Sequence, residues 1–168
     1  MQDQKNSMHQ IKSPIRIHAL TICLFIVPFL LSPAIAHKGA TGVVKERMDL
    51  MDETGKNMKA IKGMMKGKIA FDSQKMTEHA ESIRQASTHI KMVFPEGSLK
   101  GKSEALPAIW KNWEKFSMLT ERLTAESTKL KEVAGNSDRR SIMKQFAKVG
   151  KTCRNCHTDF RKKKDKKK

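Results

Sequence analysis

Two cysteines three apart with a histidine directly after the second, Cys153-Arg154-Asn155-Cys156-His157, are the residues of this 168-residue chain whose types and spacing promise chemistry. On a helix both thiols share one face and reach the two vinyl groups along one porphyrin edge. The imidazole lies one turn beyond the first thiol and ligates iron through a ring nitrogen. This order is the attachment signature of a c-type haem. One covalently attached haem c (iron) per chain is therefore expected, with Cys153 and Cys156 as anchors and His157 as iron ligand. Zinc needs further ligands, and beyond the leader only the scattered His37, His79 and His89 remain. A thioredoxin-like dithiol would open a helix after a strand, whereas this one lies deep in the last of several helical stretches.

The first 36 residues read as a signal peptide. Lys5, Lys12 and Arg16 form a basic start, an apolar run follows from about Ala19 to Leu31, and Ala34-Ile35-Ala36 supplies the small residues a signal peptidase accepts. The run is shorter than the ~20 residues that span a bilayer, and an uncleaved anchor is the alternative. Cleavage before His37 removes Cys23, leaves one domain over residues 37–168, and places it in the periplasm with no membrane span. Two cysteines so close together are no disulfide framework.

The formal charge is +17 from 34 basic and 17 acidic residues, and a basic tail at 161–168 carries seven basic residues against one aspartate. Such a field suits an acidic redox partner, with a solvated, solubilising tail as the plainer reading. The export signal and the lack of a reading motif argue against nucleic acid.

Four amphipathic stretches must carry the site. The first, from Thr41 to about Lys66, aligns Val44, Met48, Met51, Gly55, Met58 and Met65, and Gly67 ends it. Asp72-Ser73 caps a second, with Met76, Ala80, Ile83, Ala86, Ile90 and Val93 on one face, and Pro95 stops it. Residues 95–104 form the longest loop. A third opens at Pro107 and runs through Ile109, Trp113, Phe116, Leu123 and Leu130, widened by Trp110 and Leu119, to Gly135. The last, capped by Asn136 or Ser137, carries Ile142, Phe146, Val149, Cys153, Cys156 and Phe160 inward. No stretch alternates like a strand, so the expected fold is all-α, an antiparallel four-helix bundle with haem attached near the end of the last helix.

The other face of the iron decides the function. If the first and last helices are antiparallel neighbours, Met48, Met51 and Met58 are the reachable thioethers, and Met65 is too far along; methionine is also a common core filler. Gly55 could let a porphyrin edge approach. Trp110, Trp113 and Phe116 read as core rather than electron conduit. His79 and His89 have no ligand spacing. No distal acid–base group is placed as a peroxidase would need, so the chain does not read as an enzyme.

The chain resembles the cytochrome c-prime family. The resemblance rests on Val44-Lys45-Glu46-Arg47-Met48-Asp49-Leu50-Met51 in the first helix, Pro107-Ala108-Ile109-Trp110 opening the third, and Cys153 to His157 followed by Asp159-Phe160-Arg161. The family's residue four after the arginine approaches the distal side of the haem. It is apolar in five-coordinate members, which bind nitric oxide or carbon monoxide, and a ligating methionine in low-spin electron carriers. Here it is Met51, so the resemblance implies the methionine-ligated class II branch: single-electron transfer with His157 and Met51 on the iron and Arg47 paired with a haem propionate. The five-coordinate gas-binding form is the alternative. The family also implies a homodimer as an option, although nothing in these helices marks an interface.

Overall fold

The computed structural model describes residues 39–136 and 138–163, so the expected signal peptide, the expected mature start at His37 and the end of the basic tail lie outside the described residues. Helices α1 (Gly42–Met65), α2 (Ser73–His89), α4 (Trp113–Gly135) and α5 (Arg139–Phe160) are long, and α3 (Ala108–Lys111) is a single turn. Among the described residues there is no strand, only an isolated bridge between Ala105 and Arg161. None of these helices is long and apolar enough to cross a membrane.

Side-chain pairs define the directions of the helices. Lys131 reaches Glu81 (3.2 Å), Ser87 meets Thr124 (2.7 Å) and Lys91 reaches Glu121 (2.9 Å). One partner's number rises as the other's falls, so α2 and α4 are antiparallel. Gln145 donating to Glu126 and Lys115 pairing with Asp159 show the same for α4 and α5. His79 Nδ1 lies 2.8 Å from Asn57 Oδ1, and the short connection at 66–72 turns α1 back onto α2. The result is an up-down-up-down bundle, in which α1 packs on α2, α2 on α4 and α4 on α5, while α1 and α5 make at most a glancing contact.

The core is the apolar filling of these faces, with Ile61, Met76, Ile83, Phe116, Leu130, Ile142 and Val149 almost fully buried. Local signals end the elements as their chemistry dictates. Gly67, at φ +69, takes the left-handed position after α1, where Lys68 N–H returns to Gly63 O. Asp72 caps α2 by accepting from the Lys75 N–H.

Four details correct the sequence reading. The third helix is broken at Asn112 (φ −132, ψ 48). There both the backbone N–H and Nδ2 of Asn112 donate to Ala108 O, and such side-chain competition for a backbone carbonyl interrupts a helix. The cap of α5 is Asp138, accepting from the N–H groups of Arg140 and Ser141, rather than Asn136 or Ser137. Helix α2 stops at His89, and a 3-10 turn (Lys91–Val93) leads towards Pro95. On α1 Val44 is buried as expected, but the other buried residues, Arg47, Asn57, Ile61 and Met64, lie one position away from the stripe through Met48, Met51, Gly55, Met58 and Met65, whose members are half-buried.

Glu81 shows how exposed networks add pH dependence. Hydrogen bonds from Arg84, then Gln85 and Lys131, hold its carboxyl down to about 2 against the opposing effect of partial desolvation. Its contribution is complete above the ordinary carboxylate range and is lost as pH falls from about 4.5 through 2. Glu81→Gln should therefore lower the urea midpoint at pH 7, with the gap to wild type closing as the pH falls towards 2. A gap independent of pH would show that the charge of Glu81 is not what stabilises.

Candidate haem-attachment site

Helix α5 presents Cys153 and Cys156 as free, half-buried thiols packed against the edge of the core. The spacing suggested that they point into the core. Instead Ile142, Gln145, Val149, Thr152 and Phe160 are the fully buried residues of α5. The thiols lie to one side of that stripe because α5 packs on α4, and Gln145, held by Glu126 of α4, is what turns inward.

A single touch sets the register of α1 against α5. A Cβ on Gly150 would lie 3.9 Å from the methyl of Met58. The two helices are antiparallel, so equal steps away from this touch keep residues level. Three residues out, Gly55 stands opposite Cys153; seven residues out, about 10 Å along at ~1.5 Å per residue, Met51 stands opposite His157. At Gly55 the wall of α1 recedes, since a Cβ there would meet nothing within 4 Å. Half-buried Met51 and Met58 on α1 and Phe146, Cys153 and Cys156 on α5 all pack against the core along this trough. Two thiols on one wall, a glycine facing them, apolar flanks and a thioether level with an imidazole suit a flat apolar ring with a metal at its centre. The residues present fit a haem.

The local electrostatics agree with attachment rather than with thiol redox chemistry. Burial raises the Cys153 thiol, and burial, then the charges of Cys153 and Asp159, push Cys156 up to about 11. A redox dithiol is built to do the opposite. His157 is exposed at the surface, yet the protein crowding one side of its ring, followed by the Arg161 charge, disfavours the imidazolium, with Glu104 opposing. Its neutral form is the one that binds a metal. Among the described residues no group of three or more His, Cys, Asp or Glu converges as a cluster of that kind would. His79 and His89 are engaged locally, with Asn57 and with the Gln85 carbonyl.

Arg47 is placed where the sequence did not anticipate. It is 5% exposed, and all five of its donors are taken. Nε donates to Val93 O (3.0 Å), Nη1 to Ser103 Oγ (2.8 Å) and Ser98 O (3.4 Å), and Nη2 to Ser98 Oγ (2.6 Å) and Ser98 O (3.4 Å). Its guanidinium also lies 4.1 Å over the Phe94 ring. Burial lowers its pKa from the ordinary guanidinium value. In this arrangement a propionate would have to displace a loop acceptor to reach it. The only sequence hint of this clamp was the pair of serines in the loop that follows α2. The aromatic residues separate into roles: Phe116 is core at 1% exposure, Trp110 donates Nε1–H to Phe94 O, and Trp113 is 39% exposed.

Comparison with known proteins fits this arrangement. The family model described as Cytochrome C' matches residues 42–161. Cytochrome c' of Rhodopseudomonas palustris is 31% identical over 125 residues, covering 74% of this chain and 84% of the relative. A solved structure of cytochrome c' from the same organism, 31% identical, covers 75% of this chain and all of its own, with a TM-score of 0.70. A nitric oxide complex of a mutant cytochrome c prime from Alcaligenes xylosoxidans, 23% identical, shares the fold over 72% of this chain and 94% of its own, with a TM-score of 0.66. Covalently attached haem c is the cofactor of such proteins. The four-helix bundle and the match over residues 42–161 lead to one conclusion: the chain belongs to the cytochrome c' family.

Proposed function

We propose that this chain is a periplasmic haem protein that binds nitric oxide or carbon monoxide, with haem c joined to Cys153 and Cys156 and its iron ligated by His157. The observation that supports this reading is the register of the two antiparallel helices, which sets Cys153 and His157 of α5 level with Gly55 and Met51 of α1. Haem c supplies an iron that exchanges one electron and accepts a diatomic ligand on an open face. The chain does the rest. Cys153 and Cys156 would hold the ring on α5 and neutral His157 would hold its iron, while Met51 of α1, level with His157, would limit the access of an incoming gas. The half-buried methionines and Phe146 keep the surroundings apolar, which suits an uncharged diatomic molecule.

The sequence reading put a methionine-ligated electron carrier first. The relatives named cytochrome c', one of them solved with nitric oxide, support the gas-binding form more strongly. Electron carriage is kept as a second reading because Met51, a thioether, stands level with His157, where a sixth ligand would have to be. In that case an acidic redox partner suits α5. Arg140, Lys144, Lys148, Lys151 and Arg154 are exposed along it. A cleft of about 290 Å³ between α4 and α5 is lined by Arg122, Lys148 and Lys151, with Glu126 as the one acid. The reading assigns the chain no catalytic group.

Titrating the ferrous protein with carbon monoxide tests the proposal. Saturable uptake of one equivalent per chain is the expected result. A spectrum unmoved by saturating carbon monoxide would overturn gas binding in favour of the carrier.

A further inference from the structure

Among the described residues, two links between α1 and α5 bracket the candidate site. One is the touch of Met58 on Gly150. The other is the segment from Phe94 to Leu106, fastened at both ends. On the α1 side Arg47 grips Val93, Ser98 and Ser103, with Phe94 beneath it. On the α5 side Leu106 N–H donates to Phe160 O (2.9 Å), Lys162 N–H to Glu104 O (2.8 Å), Lys162 Nζ to Ser103 O (3.1 Å), and Arg161 Nε to Glu104 Oε2 (2.7 Å). Ser103 belongs to both fastenings: its hydroxyl accepts from Arg47 and its carbonyl accepts from Lys162.

Register gives this segment its meaning. Arg47 lies one turn before Met51 and Arg161 one turn after His157. The strap therefore closes the trough one turn beyond the Met51–His157 level, and the Met58–Gly150 touch closes it about two turns below. We propose that Arg47 is a positioning residue: by anchoring this strap it fixes how far Met51 stands from His157, and so how closely the thioether covers the distal face. The inference rests on the function proposed above. A buried guanidinium whose five hydrogen bonds go to four neutral oxygens is an expensive way to hold a loop. Its planar fork, however, spans three separate acceptor residues at once, as an ammonium cannot.

The test uses the haem-bearing protein with Arg47→Lys, which keeps the charge and loses the fork. Hydrogen exchange at the Leu106 and Lys162 amides should accelerate by about tenfold or more, while Ile83 and Leu130 amides in the α2–α4 core stay within about twofold. Carbon monoxide association should change by severalfold in the wild-type background and not at all in Met51→Ala, where nothing is left to position. Ser103→Ala, which leaves Arg47 in place, should reproduce the pattern to a smaller degree. Unchanged exchange overturns the strap. Faster exchange with an unchanged association rate, or the same factor in the Met51→Ala background, overturns the positioning role. A wild-type protein that takes up no carbon monoxide instead overturns the gas-binding reading. The positioning claim is then decided by the sulfur-to-iron charge-transfer band, which Arg47→Lys must weaken.

Discussion

Replacing Met51 by alanine should raise the apparent affinity of the ferrous protein for carbon monoxide by about tenfold or more. Met51 is half-buried, packed against the core and level with His157, so in the proposed arrangement its side chain would have to leave its place before a gas reached the iron. If the competent position is populated in about one molecule in ten, apparent affinity is reduced by that factor, and removing the side chain restores it. Alanine is well tolerated in a helix, so α1 should persist, and an unchanged circular dichroism spectrum would confirm this. Flash photolysis and equilibrium titration read the effect. Affinity and association rate equal to wild type would mean that another residue, Met48 or Met58 among the methionines of α1, stands over the iron.

Phe116→Ala should be the most damaging single truncation for stability. Phe116 contacts Phe94 (centroids 5.1 Å), Trp113 (5.3 Å) and, edge to face, Phe160 (5.5 Å). It thus joins α4 to the start of the strap and to the end of α5. Burying so large a ring accounts for about 3–5 kcal/mol on truncation, out of the ~5–15 kcal/mol typical of a whole domain. Guanidinium denaturation should show the midpoint falling by a large fraction with little change in slope. A loss smaller than about 1 kcal/mol would mean that the neighbouring rings collapse into the space. The effect should also spread to the Leu106 and Lys162 amides, because Phe94 and Phe160 flank the two fastenings of the strap.

The candidate haem-attachment residues could be named from sequence because their chemistry is local: thiol and imidazole spacing on one helix needs no tertiary information. The bundle was legible for a similar reason, since helical periodicity is written in sequence and the short connections around Gly67 and Asp138 force neighbours to run antiparallel. Periodicity is weaker at choosing between adjacent stripes. On α1 the stripe from Val44 through Met48, Met51, Gly55, Met58 and Met65 was read as the core; Val44 is buried as expected, but further along Arg47, Asn57, Ile61 and Met64 fill that role. A helix in a bundle meets two neighbours, and α1 turns one stripe to α2 and the other to the trough facing α5. The break at Asn112 depends on a side chain competing for a carbonyl one turn back, which no apolar pattern signals. Arg47 was hardest to place, because an arginine on a helix reads as solvated until the acceptors of a distant, aperiodic loop close over it.

The ferric optical spectrum of the purified wild-type protein tests the central claim most directly. An iron held by His157, with Met51 standing over its other face without binding it, predicts a high-spin spectrum with no sulfur-to-iron charge-transfer band. A low-spin spectrum carrying that band would contradict the claim and make Met51 the sixth ligand of an electron carrier.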